Sequence, residues 1–133
     1  MRAEGRGKPL TILITAGQRH EQSAFDALME QGAVLRRGRG RPRIRPRRIV
    51  GDKGYSSKRI RRYLRRRGIG VVIPRRKDER RRGPFDKVAY RQRNVVERLI
   101  ARLKQFRRVA TRYEKRAANY RAMVTIAAIL LWL

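Results

Sequence analysis

The residues best suited to chemistry lie in one stretch, Tyr90-Arg-Gln-Arg-Asn-Val-Val-Glu-Arg-Leu-Ile-Ala-Arg-Leu-Lys104. On a helix of 3.6 residues per turn, Tyr90, Arg93, Glu97 and Lys104 fall at about 0°, 300°, 340° and 320°. They share one face, within roughly 60°. Val95, Val96, Leu99, Ile100, Leu103 and Phe106 fall opposite, between about 140° and 280°, as a core stripe. One carboxylate set among cations suits a metal ion or a phosphate. On spacing alone a second reading stands beside it: the polar side of an amphipathic helix that simply meets water.

A second carboxylate sits in Ile49-Val-Gly-Asp-Lys-Gly-Tyr55. Arg47-Arg-Ile-Val50 reads as a short strand, with Asp52 just past its C-terminal end. Functional groups of α/β folds occupy that position. Gly51 and Gly54 allow a sharp turn there. Asp-Lys-Gly is also a good turn initiator, so residue types alone leave both readings of Asp52 open.

The spacing Tyr, two residues, Arg, three, Glu, six, Lys is similar to the signature of DDE-type bacterial insertion-sequence transposases. Tyr90, Arg93, Glu97 and Lys104 match it at every position. Arg107-Arg-Val-Ala-Thr-Arg-Tyr-Glu-Lys115 resembles the segment that follows, and Asp-Lys-Gly-Tyr55 resembles the family's second-carboxylate motif. The resemblance implies the C-terminal part of an RNase H-like catalytic domain. In that family three carboxylates hold two Mg²⁺ (or Mn²⁺) ions for cleavage and transfer of DNA strands. Asp52 resembles the second carboxylate and Glu97 the third, both catalytic and metal-binding. Tyr90, Arg93 and Lys104 are implied as DNA-binding. No residue matches the first carboxylate; the only acid before Leu10 is Glu4, in a turn-like setting. The resemblance thus implies an enzyme of Mg-dependent phosphoryl transfer on DNA that this chain supplies incompletely. A frameshift product, a truncated start and a decayed remnant are the origins to expect.

Composition points the same way. The 133 residues suit one small domain, here a single partial catalytic domain spanning 1–133. The formal net charge of +28, from 38 Lys and Arg against 10 Asp and Glu, calls for a polyanion. Nucleic acid is the expected partner: DNA, as transposon ends and target. An anionic membrane surface is the alternative that charge allows. With 41% hydrophobic residues in periodic runs, the charge does not imply disorder. There is no cysteine and one His, so disulfides, thiolate sites and histidine-rich sites are excluded. Any metal would be a hard cation on carboxylates. Met1 to Lys8 has no apolar signal core, and the expectation is a cytoplasmic protein.

The elements that must position these residues form an α/β pattern, a partial RNase H-like mixed sheet with flanking helices and a C-terminal helical segment. Met1 to Lys8 reads as a strand end and hairpin turn, and Pro9 to Ala16 as a buried strand. His20 to Glu30 reads as a helix with an apolar stripe of Ala24, Phe25, Leu28 and Met29; His20 reads as a surface or capping residue. Arg36 to Arg48, rich in Arg, Gly and Pro, reads as an exposed loop that contacts DNA phosphate or serves as a basic linker. Ser56 or Ser57 caps a helix to Arg67, stopped at Gly68, with Ile60, Tyr63 and Leu64 buried. Gly70 to Pro74 is a strand, expected parallel to the one before Asp52. Arg75 to Pro84 is a second basic loop in which Asp78 and Glu79 are local charge partners. Asp86 suits the start of the long helix that begins near Val88. Ala122 to Leu133 is apolar all round but too short to span a bilayer, and reads as a core-packing helix. Helices thus occupy about 88–133. A homo-oligomer and the upstream part of the transposase are further expected partners.

Two other functions remain open. One is a non-catalytic nucleic-acid-binding fragment or regulator, with steeply salt-dependent binding and no cleavage. The other is a basic RNA-associated or ribosomal protein, which would prefer structured RNA to duplex DNA.

Overall fold

Short β-branched runs and longer periodic ones alternate along the chain, and the computed structural model follows that alternation. It describes residues 1–15, 21–35, 38–80 and 83–133. The strands are β1 (Arg2–Ala3), β2 (Pro9–Thr11), β3 (Arg48–Val50) and β4 (Gly70–Val72). The helices are α1 (Phe25–Gln31), α2 (Lys58–Arg66), α3 (Lys87–Arg91), α4 (Asn94–Lys104), α5 (Arg107–Ala110) and α6 (Ala117–Leu130). The chain divides into two compact units: Met1–Gln18 with Asn94–Leu133, and Arg19–Arg93.

In the unit of residues 19–93, β3 and β4 pair in parallel, with Ile49 opposite Val71. A parallel pair needs a crossover, and α2 supplies it. Ser57 caps α2 by accepting from the Ile60 amide at 3.2 Å. Its end is a Schellman motif. The Gly68 N–H donates to the Arg65 carbonyl and the Ile69 N–H to the Leu64 carbonyl, with Gly68 at φ +65°. Leu64 and Ile69 then meet in a core with Phe25, Met29, Ile60 and Ile73. The expected helix stop and parallel pair are both found.

Tyr63 packs beside that core, edge-on to Phe25 at 5.5 Å and under the Arg67 guanidinium at 4.4 Å. Its hydroxyl is buried with no hydrogen-bond partner among the described residues. Tyr63→Phe removes an unsatisfied polar atom and keeps the ring. It is expected to leave stability unchanged or raise it by about 1 kcal/mol in urea unfolding. A loss above that figure would mean that the hydroxyl is satisfied.

In the other unit, β1 and β2 form an antiparallel hairpin. Glu4 shapes its turn, its carboxylate accepting from the Arg6 and Lys8 amides at 2.8 Å each. The core is Leu99, Leu103, Val109, Val124, Ala127 and Ala128, with Met1, Ala3 and Ile12 of the hairpin against it. The Trp132 indole N–H donates to the Pro9 carbonyl at 2.8 Å, pinning the C-terminus to β2.

Three expectations need correction. The described strands form two two-stranded sheets, not one mixed sheet; at two or three residues each they offer few ladder hydrogen bonds. The strand expected over Pro9–Ala16 ends at Thr11, and Leu10, Ile12, Leu13 and Ile14 are only half-buried. The C-terminal helix packs on the core as expected, through one face. Val124, Ala127 and Ala128 are buried while Ile126, Ile129 and Leu130 are exposed, because the hairpin, α4 and α5 cover one side. No helix among the described residues is long and apolar enough to cross a membrane. Finally, the long helix is broken. Between α3 and α4 the Gln92 and Arg93 amides donate three residues back, to Ala89 and Tyr90, tightening the chain out of the α pattern. His20 lies outside the described residues, as do Arg36, Arg37, Arg81 and Arg82 of the two basic loops.

Candidate functional site

Asp52 stands two residues past β3, where it opens a 3-10 turn over Lys53–Tyr55. The Tyr55 amide donates to the Asp52 backbone carbonyl at 3.0 Å, but the Asp52 carboxylate makes no capping bond. The turn therefore holds through the backbone, and the side chain is left available for another role. A Cβ on Gly51 would come within 3.3 Å of Ile73 Cγ1. Any larger residue at 51 would therefore require Ile73 to shift by a few tenths of an ångström at the strand exit. Gln22 fixes the far side of the turn, its amide donating to the Gly54 carbonyl at 3.0 Å.

The Asp52 carboxylate has a partner from the signature. Arg93 Nη1 lies 3.6 Å from Asp52 Oδ2, with side-chain exposures of 31% and 56%. The same guanidinium lies 5.5 Å from the centre of the Tyr90 ring, which Phe85 supports edge-on at 5.3 Å. α3 is capped by Asp86, which accepts from the Ala89 amide at 2.8 Å. Arg48 at the start of β3 donates to the Gln92 side chain at 2.8 Å. Strand end and α3 are thereby tied together, and Tyr90, Arg93 and Asp52 form one group. An ion pair this exposed contributes at most about 1 kcal/mol. It orients the carboxylate without holding the fold together.

Glu97 and Lys104 belong to the other unit, on α4. Seven residues apart, they keep the same face two turns from each other. Tyr90 and Arg93 belong to the unit of residues 19–93. Leu99 and Leu103 supply the buried side of α4, Val95 and Val96 are half-buried, and Ile100 is exposed, against expectation.

The network built around Arg61 was not legible as a site. Arg61 is 8% exposed. Its Nη2 donates to Ser56 Oγ at 2.7 Å, the Ile73 carbonyl at 3.0 Å and the Pro74 carbonyl at 3.2 Å. Glu79 Oε2 lies 3.7 Å away and accepts from Ser56 Oγ at 2.6 Å and from the Arg76 amide at 3.3 Å. Glu79 is a charge partner as expected, while Asp78 has no ion pair among the described residues. Burial lowers the Arg61 pKa from its ordinary value, as does the Arg75 charge, and Glu79 opposes them. Burial acts against the Glu79 carboxylate. The Ser56 hydrogen bond, the Arg76 amide and the Arg61 and Arg75 charges outweigh it and hold the carboxyl below its ordinary value. The one available signal was position: Arg61 falls beside Ile60 and Leu64 on the inward side of α2.

A depressed carboxyl pKa stabilises the fold above the unfolded value of about 4.5 and loses that contribution as pH falls through the lower folded value. The stability difference between the native chain and Glu79→Gln is therefore expected to be constant from pH 7 to about 5. It should shrink below about pH 4.5. Urea unfolding at each pH reads it, and a difference that grows on acidification would contradict the network.

No three acidic or histidine side chains gather among the described residues. Asp52 and Glu97 offer the hard oxygens that Mg²⁺ or Mn²⁺ takes, but these residues alone do not make a metal site.

The sequence of residues 3–132 matches the family model described as the transposase DDE domain. A protein of Burkholderia cepacia named as a transposase for insertion sequence element IS402 is 35% identical over 128 residues. That alignment covers 96% of this chain and 58% of the relative, so the chain spans little more than half the relative's length. No solved structure matches. With the family model covering nearly the whole sequence, the chain belongs to the transposase DDE-domain family.

Proposed function

We propose that this chain is the C-terminal part of the catalytic domain of an insertion-sequence transposase, which cuts and transfers DNA strands in a divalent-metal-dependent reaction. Both units would belong to one RNase H-like domain, acting in the cytoplasm on transposon ends and target DNA. The carrying observation is the group of Tyr90, Arg93 and Asp52 within a chain of this family. Two elements of the family signature meet there at the end of a strand.

Asp52 and Glu97 are the carboxylates we assign to the metal centre. A third would come from the rest of the protein, because these two are too few. Arg93 orients Asp52 and, with Tyr90, flanks it with a cation and an aromatic face suited to a DNA phosphate and sugar. Lys104 is the DNA contact we assign on α4. The bound metal would supply Lewis acidity at the reacting phosphate. The exposed cations would hold the strand in register with it.

The test is strand cleavage by the protein completed with its remaining segment, on duplexes carrying the element's ends. Cleavage that appears with Mg²⁺ or Mn²⁺ and stops with EDTA supports the proposal. Salt-sensitive binding without cleavage under either metal would favour a non-catalytic DNA-binding regulator instead.

A further inference from the structure

α2 contains no acid over its nine residues, Lys58-Arg-Ile-Arg-Arg-Tyr-Leu-Arg-Arg66. Two of its cations are engaged inside the unit, Arg59 with Asp26 and Arg61 with Glu79. Lys58, Arg62, Arg65 and Arg66 are exposed and have no acidic partner among the described residues. At i, i+4, i+7 and i+8 they form one stripe.

The stripe is one wall of a cleft. Residues 75–80 form the other wall and bring Arg75 and Arg80 to it. That loop is fastened by the Glu79–Ser56–Arg61 network, in which Glu79, itself in the cleft lining, is paired with Arg61. The open side is therefore strongly cationic, with Asp78 the remaining acid in its lining.

We propose that this cleft binds the sugar–phosphate backbone of duplex DNA, as a docking surface built from residues other than the transposase signature. The choice of DNA as the polyanion rests on the function proposed above. Lys58 to Arg66 spans about 12 Å of helix axis, against about 3.4 Å of duplex axis per phosphate on one strand. The stripe thus matches three or four consecutive phosphates. Arginine forks give bidentate phosphate contacts. No aromatic side chain is among the described residues lining the cleft, and Tyr63, on the neighbouring face of α2, is half-buried under Arg67. Without an open stacking platform, the surface suits a duplex backbone better than unstacked single strands.

The test measures binding of the 133-residue chain to a fluorescent 20-base-pair duplex of arbitrary sequence, in EDTA, across a salt series. The triple variant Arg62→Gln, Arg65→Gln, Arg66→Gln is compared with a charge-matched triple outside the cleft, Arg6→Gln, Arg116→Gln, Arg121→Gln. The cleft triple is expected to lose about 2–3 from the slope of log K against log salt, at about 0.9 per lost phosphate contact. The matched triple should lose less than 1. Replacing the same three cleft arginines by Lys keeps the charge and should restore most of the slope. Circular dichroism checks that each variant is folded. Equal losses in the two Gln triples, or no loss in the cleft triple, overturn the proposal. So does tighter binding of structured RNA or of phosphatidylserine vesicles than of the duplex. Because the assay needs neither metal nor cleavage, it can fail while the transposase reading survives, and the reverse.

Discussion

Asp52→Asn in the completed transposase is expected to lower metal-dependent strand cleavage by more than about 100-fold, and Glu97→Gln by a similar factor. Substituting a residue that only supports a metal ligand costs 10–100-fold, so replacing a ligand itself should cost at least the upper end. The amide keeps the shape of the side chain and removes the charge and the strong oxygen donor. The fold should not notice. Asp52 is exposed, it caps nothing through its side chain, and its pair with Arg93 is worth at most about 1 kcal/mol. Urea unfolding of Asp52→Asn should therefore match the native chain within about 1 kcal/mol, while cleavage collapses. A variant that lost stability and activity together would point to a structural aspartate.

The largest effect on stability is expected at Arg61. Arg61→Ala leaves Ser56, Glu79 and two backbone carbonyls short of a donor in a nearly closed space. Breaking a buried pair from one side costs about 3–5 kcal/mol. Glu79 is 18% exposed at its side chain, so the lower end is expected, about 3 kcal/mol in urea unfolding. Arg61→Lys should recover only part of this, because a compact ammonium cannot reproduce the guanidinium fork. The loop of residues 75–80 should loosen as well, seen as faster amide exchange at Arg76 and Glu79. A cost below 1 kcal/mol would mean that water satisfies these groups as well as Arg61 does.

Much of the organisation was legible because it rests on local chemistry. Ser57 and Asp86 sit where helices need side-chain acceptors, and both cap. Gly68 supplies the positive φ that ends α2. Hydrophobic strand runs on either side of a helical segment predicted the parallel pairing of β3 with β4. The placement of Asp52 just beyond β3 followed from the same pattern. Helical periodicity was a poorer guide across Gln92–Arg93. No proline or glycine marks that break, and the tightening is visible only in the backbone hydrogen bonds. The pairing of Arg93 with Asp52 joins residues 41 apart and depends on how α3 meets β3, which spacing does not encode. Arg61 was hidden by composition. Among so many arginines, one that turns inward looks like the others until the carbonyls of Ile73 and Pro74 are brought to it. The tail packs on the core as its apolar run suggests, but composition does not say which face is covered: Val124, Ala127 and Ala128 are buried while Ile126, Ile129 and Leu130 are exposed.

As proposed above, Asp52 and Glu97 serve one metal centre. Mn²⁺ titration of the completed protein by calorimetry tests it without relying on activity. Asp52→Asn, Glu97→Gln and the double variant should each lose the same high-affinity binding, with the double variant no worse than either single one. Groups acting on one ion are not additive. Additive losses from two independent sites, or full Mn²⁺ binding in either single variant, would contradict the claim.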